Sequence, residues 1–549
     1  MTAFGIHRRR LSVAIVAVTL VGLAAVTSGA RAHAANITFG TPVQLAGACG
    51  GEPSIDVDAA GHVYVSSPKG ILAATASCEG VAQNTAGAAT WASSNGGTTF
   101  SGKVTAGAAN GGGDTDTTVD QSTGDIYLAD LEAFASDICV SHDHGATWVA
   151  YPAAPSGSQS CTPTNSAAPS PTSNGVNQTG FEADREWLTI FGPTASYAHK
   201  DIYLTYHDFA TGLPLQYRSQ DGGAWVPQAT GPAFTGDPTF SAAVANGTVM
   251  AKPVIGADGT IYALVTTQAP GNGPLNALWL IKSTDHGATW TDKNILTAAT
   301  TAQLGLVFND LAIDGAGNLY ALTLGNTSQA VPPVHALLFV STDHGATWST
   351  ARDIGPADGH GLTLAAMHGG PLSGQLVIGW YHSTFSADPG VITSNAWEYQ
   401  ALESTAATDP VPAFTTTVLG VTSFDATTNP NSAVHQGQVC VQGLNCTVGQ
   451  VTGGGAGNRN LADFSSVTVD PSGCAIFTYA DDGSIKPDQT NYNASRVSNN
   501  VARQTGGCFS LLATNTPETP VTVGLVFIGA AAAAAWGLAR RRRHTALAE

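Results

Sequence analysis

The sequence Ser341-Thr-Asp-His-Gly-Ala-Thr-Trp348 decides the fold, because the chain repeats it. The same eight residues occur at Ser283–Trp290, and Ser141–Trp148 differs from them at one position. Degraded copies lie at Ser93–Phe100 and, one residue shorter, at Ser219–Trp225. We call each copy an octapeptide. A phrase that recurs at intervals of about 50 to 80 residues indicates a repeat architecture, in which each repeat is one structural unit.

A second repeated phrase precedes the octapeptides and predicts a β-hairpin. It combines alternating apolar residues, a turn containing Asp and Gly, and a second β-rich run. Its copies lie at 54–64, 118–127, 254–262, 311–320 and 466–477. A further apolar strand, such as 336–340, then leads into the octapeptide and a short fourth strand. Four antiparallel strands per unit, with no helical periodicity between units, predict an all-β fold, a single-chain β-propeller.

The octapeptide itself is typical of a structural turn. Its Asp can accept hydrogen bonds from turn amides, and its Gly can adopt a positive φ. We expect the closing Trp or Phe to pack between neighbouring blades. The histidines at 142, 144, 286 and 344 are expected to be solvated turn residues.

The number of hairpins predicts seven four-stranded blades, with six as the alternative. Hairpins begin near residues 53, 116, 186, 253, 310, 362 and 465. The segment Ile37–Leu45 resembles the strand that follows an octapeptide. Placed beside the last blade, it would close the ring and remove the open sheet edges.

The two ends of the chain predict export and membrane anchoring. Residues 1–34 combine arginines, an apolar run and Ala32-His33-Ala34, as in a secretory signal peptide, with Sec and twin-arginine export both open. Residues 521–538 are uncharged and just long enough to span a bilayer. We therefore predict a propeller over 36–510, a stalk over 511–520, a transmembrane helix over 521–538 and a cytoplasmic basic tail over 539–549. This arrangement places the propeller outside the cell, on a single-pass membrane protein.

Between these ends the chain is acidic. The part between the signal peptide and the basic tail holds 13 of the 21 Lys and Arg residues and 38 of the 39 Asp and Glu residues, which gives a net charge of −25. This charge argues against nucleic acid and anionic lipid as partners. We predict a monomer that binds a glycan or an extracellular protein.

Eight cysteines, all in the exported part, predict four disulfides. Of the 105 ways to pair eight cysteines, we prefer the pairing of neighbours along the chain. The predicted pairs are Cys49–Cys78, Cys139–Cys161, Cys440–Cys446 and Cys474–Cys508.

Strand alternation assigns the two faces of the disc. The octapeptide follows the third strand, so it shares a face with the turn between the first and second strands; we call this the octapeptide face. Inner strands begin, and second strands end, on the opposite face, which we call the mouth face. The long insertions 153–180 and 422–458 precede inner strands and therefore fall on the mouth face, where we expect function to be built.

Side chains at these strand ends should converge on the axial mouth, which is the opening of the central channel on the mouth face. The predicted ligand-binding residues there are Glu52, Asp116, Asp310, Tyr381, His382, Arg459 and Asp463. The stretch 111–116 also has carboxylate spacing that suits Ca²⁺ at Asp114 and Asp116, with a plain turn as the alternative. No other cofactor is predicted.

The pattern Ser-x-Asp-x-Gly-x-Thr-Trp resembles the Asp-box, or BNR repeat, of the sialidase-superfamily propellers, and the resemblance covers about residues 36–510. It implies glycan recognition or exo-sialidase-like glycoside hydrolysis at the axial mouth, by carboxylates and a tyrosine nucleophile. The residues predicted to fill these roles are Asp184, Arg185, Tyr206, Asp208 and Tyr479.

This chain departs from the sialidase pattern, since it lacks the Phe/Tyr-Arg-Ile-Pro motif that carries the first of three carboxylate-binding arginines. A non-catalytic adhesion or assembly scaffold at the cell surface therefore remains the alternative.

Overall fold

Four antiparallel strands form in each repeat, as the alternating apolar pattern predicts, and they make one blade of a β-propeller. The computed structural model describes residues 36–45, 50–68, 77–78, 81–82, 87–102, 104–107, 113–132, 135–152, 161, 183–208, 212–230, 234–271, 273–306, 308–329, 332–356, 361–383, 385, 388–391, 396–419, 433–441, 460–482 and 497–511. The predicted signal peptide, most of the stalk, the transmembrane helix and the basic tail lie outside these residues. Within the described part of the chain, no helix is both long and apolar enough to cross a bilayer.

The first three blades each form a sheet of four strands. From the axis outward, the strands of blade 1 are Ser54–Val57, Val63–Ser67, Ala88–Ser93 and Val104–Ala106. Those of blade 2 are Thr115–Val119, Ile126–Glu132, Ala135–Ser141 and Val149–Ala150. Those of blade 3 are Ala183–Phe191, Asp201–Asp208, Pro214–Gln220 and Val226–Thr230. A small hairpin, Ser77–Cys78 with Val81–Ala82, follows the second strand of blade 1.

The inner strands of blades 4 and 5 are interrupted. Blade 4 consists of Thr248–Met250 and Val254–Ile255, then Ile261–Gln268, Leu275–Ser283 and Thr291–Thr297. Blade 5 consists of Gln303–Leu304 and Asp310–Ile313, then Leu319–Asn326, His335–Ser341 and Arg352–Asp353. Pro253 lies in the first gap and has no N–H to donate to the ladder, so the strand breaks there.

The last two blades complete the ring. Blade 6 consists of Gly361–Gly369, Leu376–Ser383, Ala396–Ser404 and Thr415–Leu419, with His435–Gln436 paired to its third strand. Blade 7 consists of Ser466–Val469, Ala475–Asp481 and Ser498–Gly506, and its outer strand is Thr38–Phe39 with Val43–Leu45. The prediction of seven blades closed by the N-terminal strand is therefore confirmed, and the six-bladed alternative is wrong.

In the described residues, two short helices lie outside the blades. The helix α1, Pro238–Val244, connects blades 3 and 4; the Asp237 side chain caps it by accepting hydrogen bonds from the amides of Thr239 and Phe240. Phe240 is buried, with its ring centroid 5.5 Å from that of Trp279. A 3₁₀ helix covers Pro389–Val391. A helix of seven residues is too short to produce a periodic pattern, so the sequence shows no helical periodicity here.

The octapeptides form the turns that their sequence predicts. In blade 5, the Ser341 hydroxyl donates to Asp343 Oδ1 at 2.8 Å and accepts from the Gly345 amide at 2.8 Å. Thr347 donates to Asp343 through its amide at 2.8 Å and its hydroxyl at 2.5 Å, and these bonds lower the pKa of Asp343 to about 2. Gly345 has a φ of +82°. The Asp and Gly roles are confirmed.

Hydrophobic clusters lie at all seven seams between adjacent blades in the described residues. Trp148, the last residue of the blade 2 octapeptide, is 3% exposed and packs with Tyr64, Ala88 and Ala106 of blade 1. The closing aromatic residue therefore fills a seam, as predicted.

Carboxylates join neighbouring inner strands around the axis. Asp56 of blade 1 accepts a hydrogen bond from the Val119 amide of blade 2 at 2.8 Å. Asp116 of blade 2 accepts one from the Leu188 amide of blade 3 at 2.7 Å. Asp310 of blade 5 accepts one from the Met367 amide of blade 6 at 2.5 Å. Each bond satisfies a donor that the inner edge of a sheet would otherwise leave unpaired.

Two disulfides lie wholly within the described residues. Cys139–Cys161 and Cys474–Cys508 are bonded as predicted, with Cα separations of 6.0 and 4.4 Å. Cys440 is also disulfide-bonded. Cys49 and Cys446 lie outside the described residues, as does the side chain of Cys78, so the pairings Cys49–Cys78 and Cys440–Cys446 stay predictions.

Candidate functional site

The inner strands begin at the axial mouth with an unusual backbone. Four residues that are not glycine have positive φ at this level of blades 1, 3, 6 and 7: Glu52 (51°), Arg185 (57°), Leu364 (51°) and Ala462 (57°). In blades 3 and 6 the strand register shifts by one residue at this point, which is a β-bulge. A left-handed conformation costs an L-residue about 1–2 kcal/mol, and bulges re-aim side chains beside functional sites.

The bulge of blade 3 directs Arg185 across the axis. Its guanidinium carbon lies 3.7 Å from the ring centroids of both Trp187 and Phe464, so the cation is held between two aromatic faces. Nη1 donates to the Thr115 carbonyl at 3.1 Å. Among the described residues, Nε and Nη2 have no hydrogen-bond partner, although Arg185 is only 1% exposed. Arg185 therefore supplies one positive charge to the floor of the mouth.

Carboxyl groups surround this single cation. Asp114 is 8% exposed and hydrogen-bonds Glu52; its pKa is raised by burial and by Asp184 and Asp463, against the lowering effect of Arg185. Glu186 is fully buried and accepts a hydrogen bond from Ser136 at 2.9 Å. Burial and the neighbouring Asp114 hold the pKa of Glu186 well above its usual range. The raised pKa values favour the protonated form of Asp114 and Glu186, in which a carboxyl group donates as well as accepts hydrogen bonds.

Asp184 is the carboxylate of this group that faces solvent. It pairs across the sheet with His207, and His207 Nε2 lies 3.2 Å from Asp184 Oδ2. The Asp184 side chain is 33% exposed, whereas that of His207 is 12% exposed. We call Glu52, Asp114, Asp184, Arg185, Glu186, His207 and Asp463 the mouth cluster.

Beneath the mouth cluster lies a cavity of about 370 Å³ on the propeller axis. Trp187 and Phe464, which hold Arg185, also line it, together with residues from the inner strands of all seven blades. Lys252, at the interruption of blade 4, projects into it and lies 2.8 Å from Asp116 Oδ1. Burial raises the pKa of Asp56 to about 6 and that of Asp310 to about 7. The cavity on the axis therefore combines apolar walls with carboxyl groups and, among the described residues, a single lysine.

A larger cavity, of about 630 Å³, opens on the octapeptide face. Three acidic residues line it, namely Asp258, Asp314 and Asp470, and each accepts hydrogen bonds from its own turn. Asp314, for example, accepts them from Asn318 and from the Tyr320 hydroxyl at 2.7 Å. Because these bonds belong to the turn itself, we place the candidate site at the mouth rather than in the larger cavity.

The three predicted tyrosines do not reach the mouth. Tyr206 stacks on Tyr217 with a centroid distance of 5.9 Å, Tyr479 stacks on Tyr399 at 4.4 Å, and the Tyr381 hydroxyl donates to the Ala480 carbonyl at 2.9 Å. All three are at most 1% exposed, and burial raises the pKa of each above its usual range. The expectation that they line the mouth was wrong, because strand alternation turns them into the seams between blades.

Other predicted residues are engaged in the framework. Asp116 and Asp310 bind the amides of the next blade, and His382 is buried with its Nδ1 3.0 Å from Glu398 Oε1. Asp208 is fully buried. Arg459 lies outside the described residues.

The structure does not support the calcium prediction for Asp114 and Asp116. The Asp116 oxygens are occupied by the Lys252 ammonium, the Ser54 hydroxyl and the Leu188 amide. An ammonium at 2.8 Å takes the place that a cation would need.

Of the residues predicted to act together, Glu52, Asp184, Arg185 and Asp463 do lie in the mouth cluster. Glu186 was missing from the predicted set. A bulge was needed to turn Glu186 inward, and no sequence signal marks it. His207 lies between Tyr206 and Asp208 at the end of a second strand, where side chains were predicted to converge on the mouth.

The fold and the octapeptides define the class of protein: the chain is a seven-bladed Asp-box β-propeller. No protein-family model matches it. Sialidase-2 of Cricetulus griseus is 37% identical over 83 residues, which are 12% of this chain and 21% of that protein. The matched part is thus about a fifth of the length of this curated relative.

Solved structures with a similar fold include sugar-active enzymes. An α-L-arabinofuranosidase of Fusarium graminearum has a TM-score of 0.40 at 12% identity, over 71% of this chain and 92% of that one. The NanB sialidase of Streptococcus pneumoniae has a TM-score of 0.37 at 11% identity, over 86% and 71%. An ulvan lyase has a TM-score of 0.35 at 11% identity, over 68% and 79%. At identities this low, the similarity concerns the fold alone.

Proposed function

We propose that the chain is a glycan-active propeller that binds and hydrolyses uncharged sugars at its axial mouth. The observation that carries the proposal is the mouth cluster, in which Asp114 and Glu186 have raised pKa values beside the solvent-facing Asp184. Glycoside hydrolysis needs one protonated and one ionised carboxyl group, and environments that push two pKa values apart supply such a pair. Asp184, with His207 beside it, is the group best placed to touch the sugar.

The charge of the mouth supports an uncharged sugar. Arg185 is the one arginine that the described residues place there, whereas Arg218, Arg352 and Arg503 bond to groups on or near the octapeptide face. Among the described residues, a sugar carboxylate would meet several carboxyl groups and one buried guanidinium. Since arginine forks are the usual partners of carboxylates, the mouth favours sugar hydroxyls instead.

The site of action in this proposal is the outer surface of the cell. The signal peptide over 1–34 and the span over 521–538 are predictions from sequence, and the disulfides support an oxidising compartment. In this arrangement the propeller acts as a monomer tethered to the membrane.

The test measures hydrolysis of neutral aryl glycosides and an aryl sialoside by the full chain from pH 4 to 8. We expect turnover of a neutral glycoside that falls at least about 100-fold in Asp184→Asn, since positioned acid–base groups contribute at least that factor. Asp221→Asn is the matched control, because Asp221 forms a similar pair with His199, at 2.6 Å, on the octapeptide face.

Equal activity of Asp184→Asn and wild type would refute the assignment of the mouth cluster. Faster turnover of the sialoside than of any neutral glycoside would refute the uncharged substrate.

A second candidate is a non-catalytic adhesion or assembly scaffold. It is favoured by the burial of all three predicted tyrosines and by the use of Asp116 and Asp310 to join blades. In that case no glycoside is turned over, and the chain binds an extracellular protein through the mouth face.

A further inference from the structure

We propose a binding site for a divalent transition-metal ion, with Zn²⁺ as the best-fitting ion, at the seam between blades 1 and 2 on the octapeptide face. Its ligands are Asp58, His62 and His144, each of which offers one ligand atom, and these atoms all lie within 4.8 Å of one another. The site is on the opposite face from the mouth cluster and does not depend on the proposed function.

The turn of blade 1 holds the first two ligands in place. Asp58 Oδ1 accepts hydrogen bonds from the amides of Ala60 at 2.9 Å and His62 at 2.8 Å, which fixes the plane of the carboxylate. Asp58 Oδ2 is thereby directed to His62 Nδ1, at 2.7 Å, and to the Tyr64 hydroxyl, at 3.1 Å. Neighbouring ligands on a tetrahedral ion with bonds of about 2.0–2.2 Å lie about 3.3–3.6 Å apart. The 2.7 Å hydrogen bond between Asp58 Oδ2 and His62 Nδ1 therefore needs to open by less than about 1 Å for both atoms to bind one ion.

The octapeptide of blade 2 supplies the third ligand. His144 has a φ of +57°, and its ring centroid lies 4.8 Å from that of His62. The Tyr64 hydroxyl lies 2.7 Å from His144 Nδ1 as well as beside Asp58, so one phenol contacts ligands from both blades. Such an outer hydrogen bond orients ligands in established metal sites.

The donor set indicates which ions fit. Two imidazole nitrogens and one carboxylate oxygen suit Zn²⁺ and its neighbours in the first transition series, whereas Ca²⁺ and Mg²⁺ prefer oxygen alone. Three protein ligands leave one position for water. His144 is exposed and the His62 side chain is 28% exposed, so an ion can enter from solvent.

The repeats provide an internal comparison. The residue after the turn glycine is His62 in blade 1, whereas the other copies of the hairpin phrase have Asp125, Thr260, Asn318 and Cys474. The octapeptide histidine recurs as His286 and His344, but among the described residues only the copy at 144 completes a group of three ligands. The five copies carry five different residues after the turn glycine, and the imidazole occurs in the copy that lies beside His144.

The test uses the full chain without a histidine tag, freed of metal by a chelator. We expect Zn²⁺ titration by calorimetry to show one site per chain, and Co²⁺ to give the visible absorption of a four-coordinate ion. His62→Ala and His144→Ala should each weaken Zn²⁺ binding at least about 100-fold, which exceeds the loss typical of a residue outside the first ligand shell. His344→Ala is the matched control at the same octapeptide position, and it should bind Zn²⁺ as the wild type does.

Thermal unfolding supplies a second measurement, since an ion bound to the folded state alone raises the melting temperature. Zn²⁺ should raise it in wild type and His344→Ala and leave it unchanged in His62→Ala. The proposal is overturned if the wild type takes up no Zn²⁺, or if His62→Ala binds it as tightly as the wild type does. It is equally overturned if His344→Ala abolishes binding.

Discussion

The substitution Glu403→Gln should stabilise the propeller at and above neutral pH. Glu403 lies in the third strand of blade 6, at the seam with blade 7, and is 2% exposed. Gln504 Nε2 donates to its Oε2 at 2.8 Å. Burial raises the pKa of Glu403 to about 7 from a usual value of 4.5, against the lowering effect of Gln504.

The sign and size of the effect follow from this pKa. Between pH 4.5 and about 7 the folded protein keeps a proton that the unfolded chain has released, so stability falls as pH rises through this window. A pKa difference of about 2.5 corresponds to about 3 kcal/mol, reached above pH 7. Gln removes that penalty but buries an amide N–H₂, which costs about 1 kcal/mol when unsatisfied. A net gain of about 2 kcal/mol at pH 8 remains.

The assay is guanidinium unfolding of wild type and variant at pH 5, 6, 7 and 8 with disulfides intact. We expect the difference in unfolding free energy to be within about 1 kcal/mol at pH 5 and to grow by about 1.4 kcal/mol per pH unit until it levels off. Asp285→Asn, at an exposed carboxylate whose hydrogen bonds from Thr289 lower its pKa, should show no such growth. Parallel stability profiles for wild type and Glu403→Gln across this range would refute the reasoning.

Three further predictions concern the seams and the ring. Trp148→Ala empties the seam between blades 1 and 2 and should cost about 3–5 kcal/mol, measured by denaturant unfolding. Removal of residues 36–45 exposes the edge of blade 7, and light scattering should detect association of the truncated chain. Burial acts to lower the pKa of His435, but the Asp482 carboxylate raises it above the usual value of 6.5. The stabilisation from this pair is therefore fully present below pH 6.5 and is lost as the pH rises through the pKa of His435 in the folded protein. In unfolding from pH 5 to 9, His435→Gln should remove that dependence.

The repeated phrases were enough to predict the propeller. The octapeptide located the turn between third and fourth strands, and Ile37–Leu45 located the closing strand, because both features are local in sequence. The positions of Tyr206, Tyr381 and Tyr479 were predicted wrongly because strand ends alone do not say which side of the sheet a residue faces. A bulge of one residue changes that side for everything after it.

Side-chain contacts between neighbouring blades could not be predicted from the sequence, for a related reason. His62 and His144 meet because the octapeptide of one blade packs on the turn of the blade before it. This packing rule can be stated only when the order of blades in the ring is known. With that order known, the repeat positions of His62 and His144 are enough to predict that they meet. The bulge at Arg185, which builds the mouth cluster, has no comparable repeat signal.

The outer strand of blade 7 comes from the N-terminal residues 38–45, and this has a consequence for how the protein is made. Residues 38–45 pair with 498–506, so the first strand of the described residues waits for the last blade to be translated. A chain cut short before blade 7 leaves residues 38–45 without their partner strand. Ring closure thus distinguishes copies that contain both segments from copies that lack one, since only the former pair the outer strand of blade 7.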